Sequence, residues 1–170
     1  MAILAGWRFC PRCSAELTHH ESRVECSVCG FVRYANPVPA VAALIVDDAG
    51  RLLLGRRAFE PDVGLWDTIG GFLDENEDAV AALHREVLEE TGLEVVVDRF
   101  VGFVERIGDD PAPYHFVILD FAVSLLDPDA EPVAGDDAAE AAWVPFHDLG
   151  DLRLVDGLYD FLRDHEVLPD

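Results

Sequence analysis

The chain contains no lysine. Its twelve cations are all arginine and stand against 34 acidic residues, a net charge of −22 over 170 residues. Such a surface repels the nucleic-acid backbone and anionic membranes, so neither is expected as a partner. It also repels a polyanionic small molecule, unless divalent metal bridges the two. An acidic, lysine-free surface suits a high-salt cytoplasm, although GC-rich coding also favours arginine over lysine; melting in molar salt separates the two readings. Long apolar runs are missing as well: none approaches the roughly 18–20 residues of a membrane span. The opening MAILAGWRFCPRC lacks a basic n-region, so no signal peptide is expected and the protein is placed in the cytoplasm. What the chain does have is a hydrophobic half, enough for a real core in one domain or one domain plus a small module.

Cysteine is scarce but ordered. Cys10-Pro-Arg-Cys13 and Cys26-Ser-Val-Cys29 form two CxxC knuckles separated by twelve residues. Four thiolates in two such pairs suit tetrahedral Zn²⁺. The alternatives are a disulfide pair or free buried thiols, and a reducing cytoplasm argues against disulfides. His19 and His20 lie between the knuckles, but four cysteines already complete a shell, so both are read as solvent-facing. A segment of this size needs a staple to fold. Residues 1–35 are therefore expected to be a ribbon around a structural zinc with no open coordination position. Up to Tyr34 the segment holds four arginines and three glutamates, too balanced for a strong positive field.

Asn36-Pro37-Val38-Pro39 is a stiff linker and marks the boundary to a second domain, residues 36–170. Ala40 to Val46 and Arg51 to Gly55 are apolar runs around Asp47-Asp48-Ala49-Gly50, a hairpin signature. Leu65 to Ile69 is read as one short strand. Glu94 to Arg106, interrupted around Asp98-Arg99, and His115 to Leu126 are read as longer strands, and Ala142 to Phe146 as a last short one. Asp127 to Asp137 is an acidic loop, and Val155 to Val167 has helical spacing. Strands interleaved with two helices predict a mixed sheet in an α/β or α+β sandwich.

The densest chemistry lies in residues 71–93, GFLDENEDAVAALHREVLEETGL. Glu86, Glu89 and Glu90 fall at i, i+3 and i+4, so on a helix their carboxylates project from one side. Like charges at i, i+4 repel. A hard divalent cation, Mg²⁺ or Mn²⁺, would relieve them; a solvated face in an acidic chain is the other reading. Asp74 or Asn76 is placed to cap the helix, and Asp74 with Glu77 fits the capping-box spacing. Val80, Leu83 and Val87 make the expected buried stripe, and Gly92 the left-handed stop.

This run follows G-x5-E-x7-R-E-V-x-E-E-x-G-L, and at every defining position it resembles the box of the Nudix hydrolases. A cysteine ribbon ahead of such a box is similar to the arrangement in NADH pyrophosphatases and in zinc-ribbon FAD and ADP-ribose pyrophosphatases. The resemblance implies a sheet between helices and hydrolysis of a nucleoside diphosphate linked to another group. Glu86, Glu89 and Glu90 would bind the catalytic metal, with the Gly71 carbonyl a further candidate ligand. Arg85 would pair with Glu77 in a structural role. Glu86 and Glu140 are both candidates for the base. A nucleoside triphosphate pyrophosphohydrolase of the MutT kind is the alternative activity. Ribbon-bearing relatives are often dimers, which makes a homodimer an expectation.

Substrate signals are thinner. The SQPWPFP-like segment of NADH pyrophosphatases is replaced here by VGFVERIGDDPAPYHF, which keeps Pro111, Pro113 and Tyr114 but no serine, glutamine or tryptophan. Pro111 lies eighteen residues past Leu93, loosely matching a proline of ADP-ribose hydrolases. Tyr114 or Phe116 could stack on a base. Arg56 and Arg57, adjacent on a strand, point to opposite faces. Arg57 is the candidate for reaching a phosphate.

Overall fold

The computed structural model describes residues 4–108, 114–135 and 138–168. The chain divides into two compact units, Met1–Val38 with Glu105–Val117, and Pro39–Val104 with Ile118–Asp170.

The first unit contains a three-stranded antiparallel sheet of β1 (Thr18–His19), β2 (Arg23–Glu25) and β3 (Val32–Tyr34). Its core is small: Leu4, Cys10, Leu17, Val24 and Cys26, with Ala15, Phe31 and Ala35 packed against them.

The remaining strands are β4 (Val38–Ile45), β5 (Arg51–Arg57), β6 (Trp66–Asp67), β7 (Ile69–Phe72), β8 (Val95–Gly108), β9 (Tyr114–Leu125) and β10 (Ala138–Pro145); the second unit holds all of β5, β6, β7 and β10 and the larger part of β4, β8 and β9. The strands lie in two sheets, in the orders β7-β4-β9-β8 and β10-β5-β6. Helix α1 covers Ala79–Thr91, a 3-10 helix covers Phe146–Asp151 and α2 covers Leu158–Asp164. The result is the expected mixed α+β fold. Among the described residues no helix is long and apolar enough to cross a membrane.

Strand alternation explains the layers. Val41, Ala43 and Ile45 of β4 and Leu53 of β5 join Ala82, Leu83 and Val87 of α1 in one core. Leu44 of β4, with Leu52 and Leu54 of β5, joins Leu149 of the 3-10 helix and Leu158, Phe161 and Leu162 of α2 in another. Strands covered on both faces read as continuous apolar runs, which is why β4 and β5 show no polar alternation. Burying a side chain such as Leu83 or Val87 stabilises the fold by about 1.5–3 kcal/mol.

Three local expectations are corrected. The Asp47–Gly50 turn forms, with Asp47 Oδ1 accepting from the Ala49 and Arg51 amides at 3.0 and 2.8 Å. Yet beyond the single bridge Val46–Leu52 its two strands part into different sheets. Likewise the run through Ile69 is two strands: β6 pairs with β5, and β7, after Thr68, pairs with β4. The crossing sets Gly70 opposite Ala42 and Gly71 opposite Val41, and so brings both glycines up to α1. Strand β8 runs unbroken through Asp98 and Arg99, where an interruption was expected; Asp98 accepts a 2.6 Å bond from the Ser124 hydroxyl on β9 instead of breaking the strand.

Candidate functional site

Helix α1 starts later than the sequence suggested. Asp78 is its N-cap, accepting from the amides of Val80 and Ala81 at 3.0 and 3.1 Å. Asn76 sits at φ +67, outside the helix. Asp74 and Glu77 still meet, the Asp74 amide donating to Glu77 Oε2 at 2.9 Å, but in the loop before the cap. Val80 is exposed, and the buried stripe is Ala82, Leu83, Val87 and Thr91. Helix side chains lean toward the N-terminus, so one in the first turn overhangs the core. Gly92 closes the helix at φ 69, its amide bonded to the Leu88 carbonyl at 2.9 Å.

Arg85 is the hub of the box. Its Nε and Nη2 grip the two oxygens of Glu77 at 2.9 and 2.8 Å, a bidentate fork. Nη2 also donates to the Phe72 carbonyl at 2.9 Å. Nη1 donates to Glu86 Oε1 at 2.7 Å and to Glu89 Oε2 at 3.1 Å. The Arg85 guanidinium, with the Asp74 amide, holds the Glu77 carboxyl down at about 2. Arg85 itself is pushed up by Glu77 and then Glu86.

The glutamate face abuts two glycines. The Glu86 carboxylate packs on Gly71 so closely that a Cβ there would run into it. The Gly70 amide donates to Glu90 Oε2 at 3.2 Å. Gly70 has no room for a Cβ either, because the Val41 carbonyl fills the space. At the far end of α1 the acidic loop supplies backbone donors: the Gly135 amide bonds to the Glu90 carbonyl at 2.8 Å and the Val133 amide to the Thr91 carbonyl at 2.9 Å. Reading the sequence missed Gly70; the Gly70-Gly71 doublet before the box was its only trace.

The other candidates have their own partners. Glu140 of β10 lies opposite Arg56 of β5, beside a register shift, and pairs with it at 3.1 Å. Arg57 Nε donates to the Pro61 carbonyl at 2.7 Å, and Nη1 lies 3.6 Å from Asp67 Oδ2. Tyr114 opens β9, but its side chain, with Pro111 and Pro113, lies outside the described residues.

In the first unit Cys10, Cys13, Cys26 and Cys29 bring all four sulfurs within 4.8 Å of one another. The closest pairs cross between the knuckles, Cys10 with Cys29 and Cys13 with Cys26, each at 3.5 Å. Tetrahedral Zn–S bonds of about 2.3 Å require sulfurs roughly 3.8 Å apart, so the quartet fits zinc. Backbone donors are aimed at the cluster: the Cys29 and Val28 amides help draw Cys26 down to about 7. The Ala15 amide pulls Cys13 the same way, but the neighbouring Cys26 and Cys29 thiols outweigh it and push Cys13 up to about 12. Four ligand sulfurs this close together are a ready shell for a cation. His19 bonds the Trp7 carbonyl at 2.7 Å and His20 lies 3.5 Å from Glu25, so neither joins the cluster.

Among the described residues only this quartet brings three or more metal-ligating side chains so close together. On α1, Glu86 and Glu89 instead gather round Arg85, with Glu77 from the preceding loop, while Glu90 takes the Gly70 amide. Three carboxylates on one guanidinium leave an excess of negative charge, and their oxygens are hard donors, suited to a hard divalent cation rather than to zinc.

The NUDIX domain family matches residues 36–165. Among curated proteins, the chain is 32% identical to the NAD-capped RNA hydrolase NudC of Deinococcus radiodurans, over 92% of this chain and 58% of that protein. It is 27% identical to the enzyme of that name from Vibrio atlanticus, over 87% of this chain and 53% of the relative. The chain thus spans about half the length of these relatives. Among solved structures it is similar to a Nudix hydrolase from Nitrosomonas europaea, with a TM-score of 0.75, 24% identity and 94% and 90% of the two chains covered. It is also similar to a MutT protein from Methanosarcina mazei, with a TM-score of 0.68, 26% identity and coverages of 79% and 97%.

Proposed function

This chain belongs to the Nudix hydrolase family, and from that premise we propose that it hydrolyses the diphosphate of a small dinucleotide or nucleotide-sugar-like compound with Mg²⁺ or Mn²⁺. One observation carries the reading: Glu86, Glu89 and Glu90 share one side of α1, with Glu86 and Glu90 set against Gly71 and Gly70. Those carboxylates would hold the metal, with the Gly71 carbonyl as a further ligand. A bound divalent ion there neutralises the diphosphate and lowers the pKa of water. Arg85 and Glu77 fix the loop before α1 against the helix and so position the glutamates. One carboxylate must accept the proton of the attacking water. Glu86, close to Gly71, is the first candidate; Glu140, paired with Arg56, is the second. Arg57 and Tyr114 remain the proposed contacts to phosphate and base. Residues 1–35 are assigned to a structural zinc ribbon and 36–170 to the hydrolase domain, in a reducing cytoplasm that keeps the thiols available.

The relatives named NAD-capped RNA hydrolases weigh against a strict exclusion of nucleic acid. A net charge of −22 still favours a free dinucleotide over a long polyanion. The likeness to a MutT protein supports a second reading, removal of pyrophosphate from a nucleoside triphosphate. A panel of NAD, NADH, FAD, ADP-ribose, diadenosine polyphosphates, 8-oxo-dGTP and an NAD-capped RNA, with products identified by mass, decides among them. Two phosphorylated fragments from a free dinucleotide support the proposal. Pyrophosphate from 8-oxo-dGTP supports the second reading, and turnover of the capped RNA alone rejects the free-dinucleotide substrate. Glu89→Gln should cost roughly 10²–10⁴-fold in turnover; full activity in that variant would remove the glutamates from the mechanism.

A further inference from the structure

Among the described residues, two glycines sit where the first atom a Cβ would strike is backbone: Gly70 against the Val41 carbonyl, and Gly135 against the Glu89 carbonyl. A Cβ on Gly135 would also lie 3.1 Å from the Glu90 Cα. Neither glycine has φ in the left-handed region, so each serves close approach rather than backbone freedom. Both donate their amides to the same residue. Gly70 holds the Glu90 carboxylate at 3.2 Å, and Gly135 holds the Glu90 carbonyl at 2.8 Å.

The grip of the 127–135 loop continues past Glu90. The Val133 amide donates to the Thr91 carbonyl at 2.9 Å, and Ala130 packs against the core beneath α1. The Val133 side chain is 71% exposed, so burial does not seat this end of the loop. Charge does not seat it either. Asp127, Asp129 and Glu131 are negative, and the helix end they accompany carries Glu89, Glu90 and the negative pole of its dipole. Backbone bonds hold the loop there, and they satisfy carbonyls that a helix end leaves open. From the core side, the fully buried Thr91 donates its hydroxyl to the Val87 carbonyl at 2.6 Å. The turn bearing Glu89 and Glu90 is thus fixed by β7, by the loop and by its own threonine.

We propose that Gly135 is a positioning residue: it lets the 127–135 loop lock the last turn of α1 and so sets the affinity of the glutamate face for a divalent cation. This rests on the reading of Glu86, Glu89 and Glu90 as metal ligands. Groups that orient a ligand set its strength nearly as much as the ligand itself. A side chain at 135 pushes the loop off the Glu89 carbonyl, frees the turn and lets the carboxylates spread. The coupling is reciprocal, so a cation on the glutamates tightens the loop in return.

Mn²⁺ binding to the full zinc-loaded chain, read without substrate as loss of the free-ion EPR signal, tests it. Glu90→Gln marks how much of the binding belongs to the glutamates. Gly135→Ala should weaken that binding by roughly 10–100-fold. Val133→Pro, which removes the second loop amide without adding bulk against α1, should weaken it by a smaller factor. Leu162→Ala, in the other core, lowers stability without touching the loop and should bind as the wild type does. Mg²⁺ should slow amide exchange of residues 130–135 in the wild type and less so in Gly135→Ala. Wild-type affinity in Gly135→Ala, with binding weakened in Glu90→Gln, overturns the loop's role and leaves the metal reading standing. A loss in Leu162→Ala as large as in Gly135→Ala also overturns it. Binding unchanged in Glu90→Gln rejects the metal reading, and the loop's role falls with it.

Discussion

The two candidate metal sites are held by different means. In the ribbon the frame is almost nothing but the site. Five buried residues make its core, and two of them, Cys10 and Cys26, belong to the candidate metal quartet. In the box the frame is a helix whose Ala82, Leu83 and Val87 are locked into a core of twelve buried residues shared with β4, β5, β7 and β9. The thiols already converge, whereas Glu86 and Glu89 are gathered on Arg85. Where ligands build the core, binding and folding are one event; where a core builds the ligand face, a cation adds chemistry to a structure that stands without it.

Breaking the cysteine quartet tests that contrast most severely. Cys26→Ser should release zinc, read by metal analysis, and abolish amide protection in residues 4–35 while α1 stays protected; equal loss in α1 would erase the distinction. The converse is Leu83→Ala, which should cost about 2–5 kcal/mol in chemical denaturation while zinc content stays unchanged. Acid sharpens the picture further. Glu77 is held near 2 in the folded chain against an ordinary 4.5, so it binds fewer protons folded than unfolded in that interval. Its stabilisation is complete above about pH 4.5 and is lost as pH falls toward 2. Melts across that window should show a flatter acid limb in Glu77→Gln than in the wild type. The smallest effect belongs to the helix start: Asp78→Ala should cost about 1 kcal/mol, whereas Asn76→Ala should lack that capping loss.

Both sites could be found in the sequence because both depend on short spacings. Two CxxC pairs and a G-to-L fingerprint are local, and so is the left-handed stop at Gly92. The Arg85–Glu77 pair came from family resemblance, and the fork between them follows it. What escaped notice is set by register between distant strands. Nothing near Glu140 in sequence says that Arg56 lies opposite it, nor does Arg57 announce its bond to the Pro61 carbonyl. The cap was misplaced because Asp74, Asn76 and Asp78 all have capping side chains, and only the backbone, left-handed at Asn76 and extended at Asp78, chooses between them. The split of β6 from β7 followed from two sheets competing for one short run.

Gly70 deserves care in any mutational survey. Its hydrogen atom occupies a gap that the Val41 carbonyl leaves no larger, and its amide steadies Glu90. Even alanine would force β7 away from β4 and shift Glu90. A screen reading only lost turnover would rank Gly70 beside the glutamates and credit it with chemistry, when the failure is one of geometry passed along the strand.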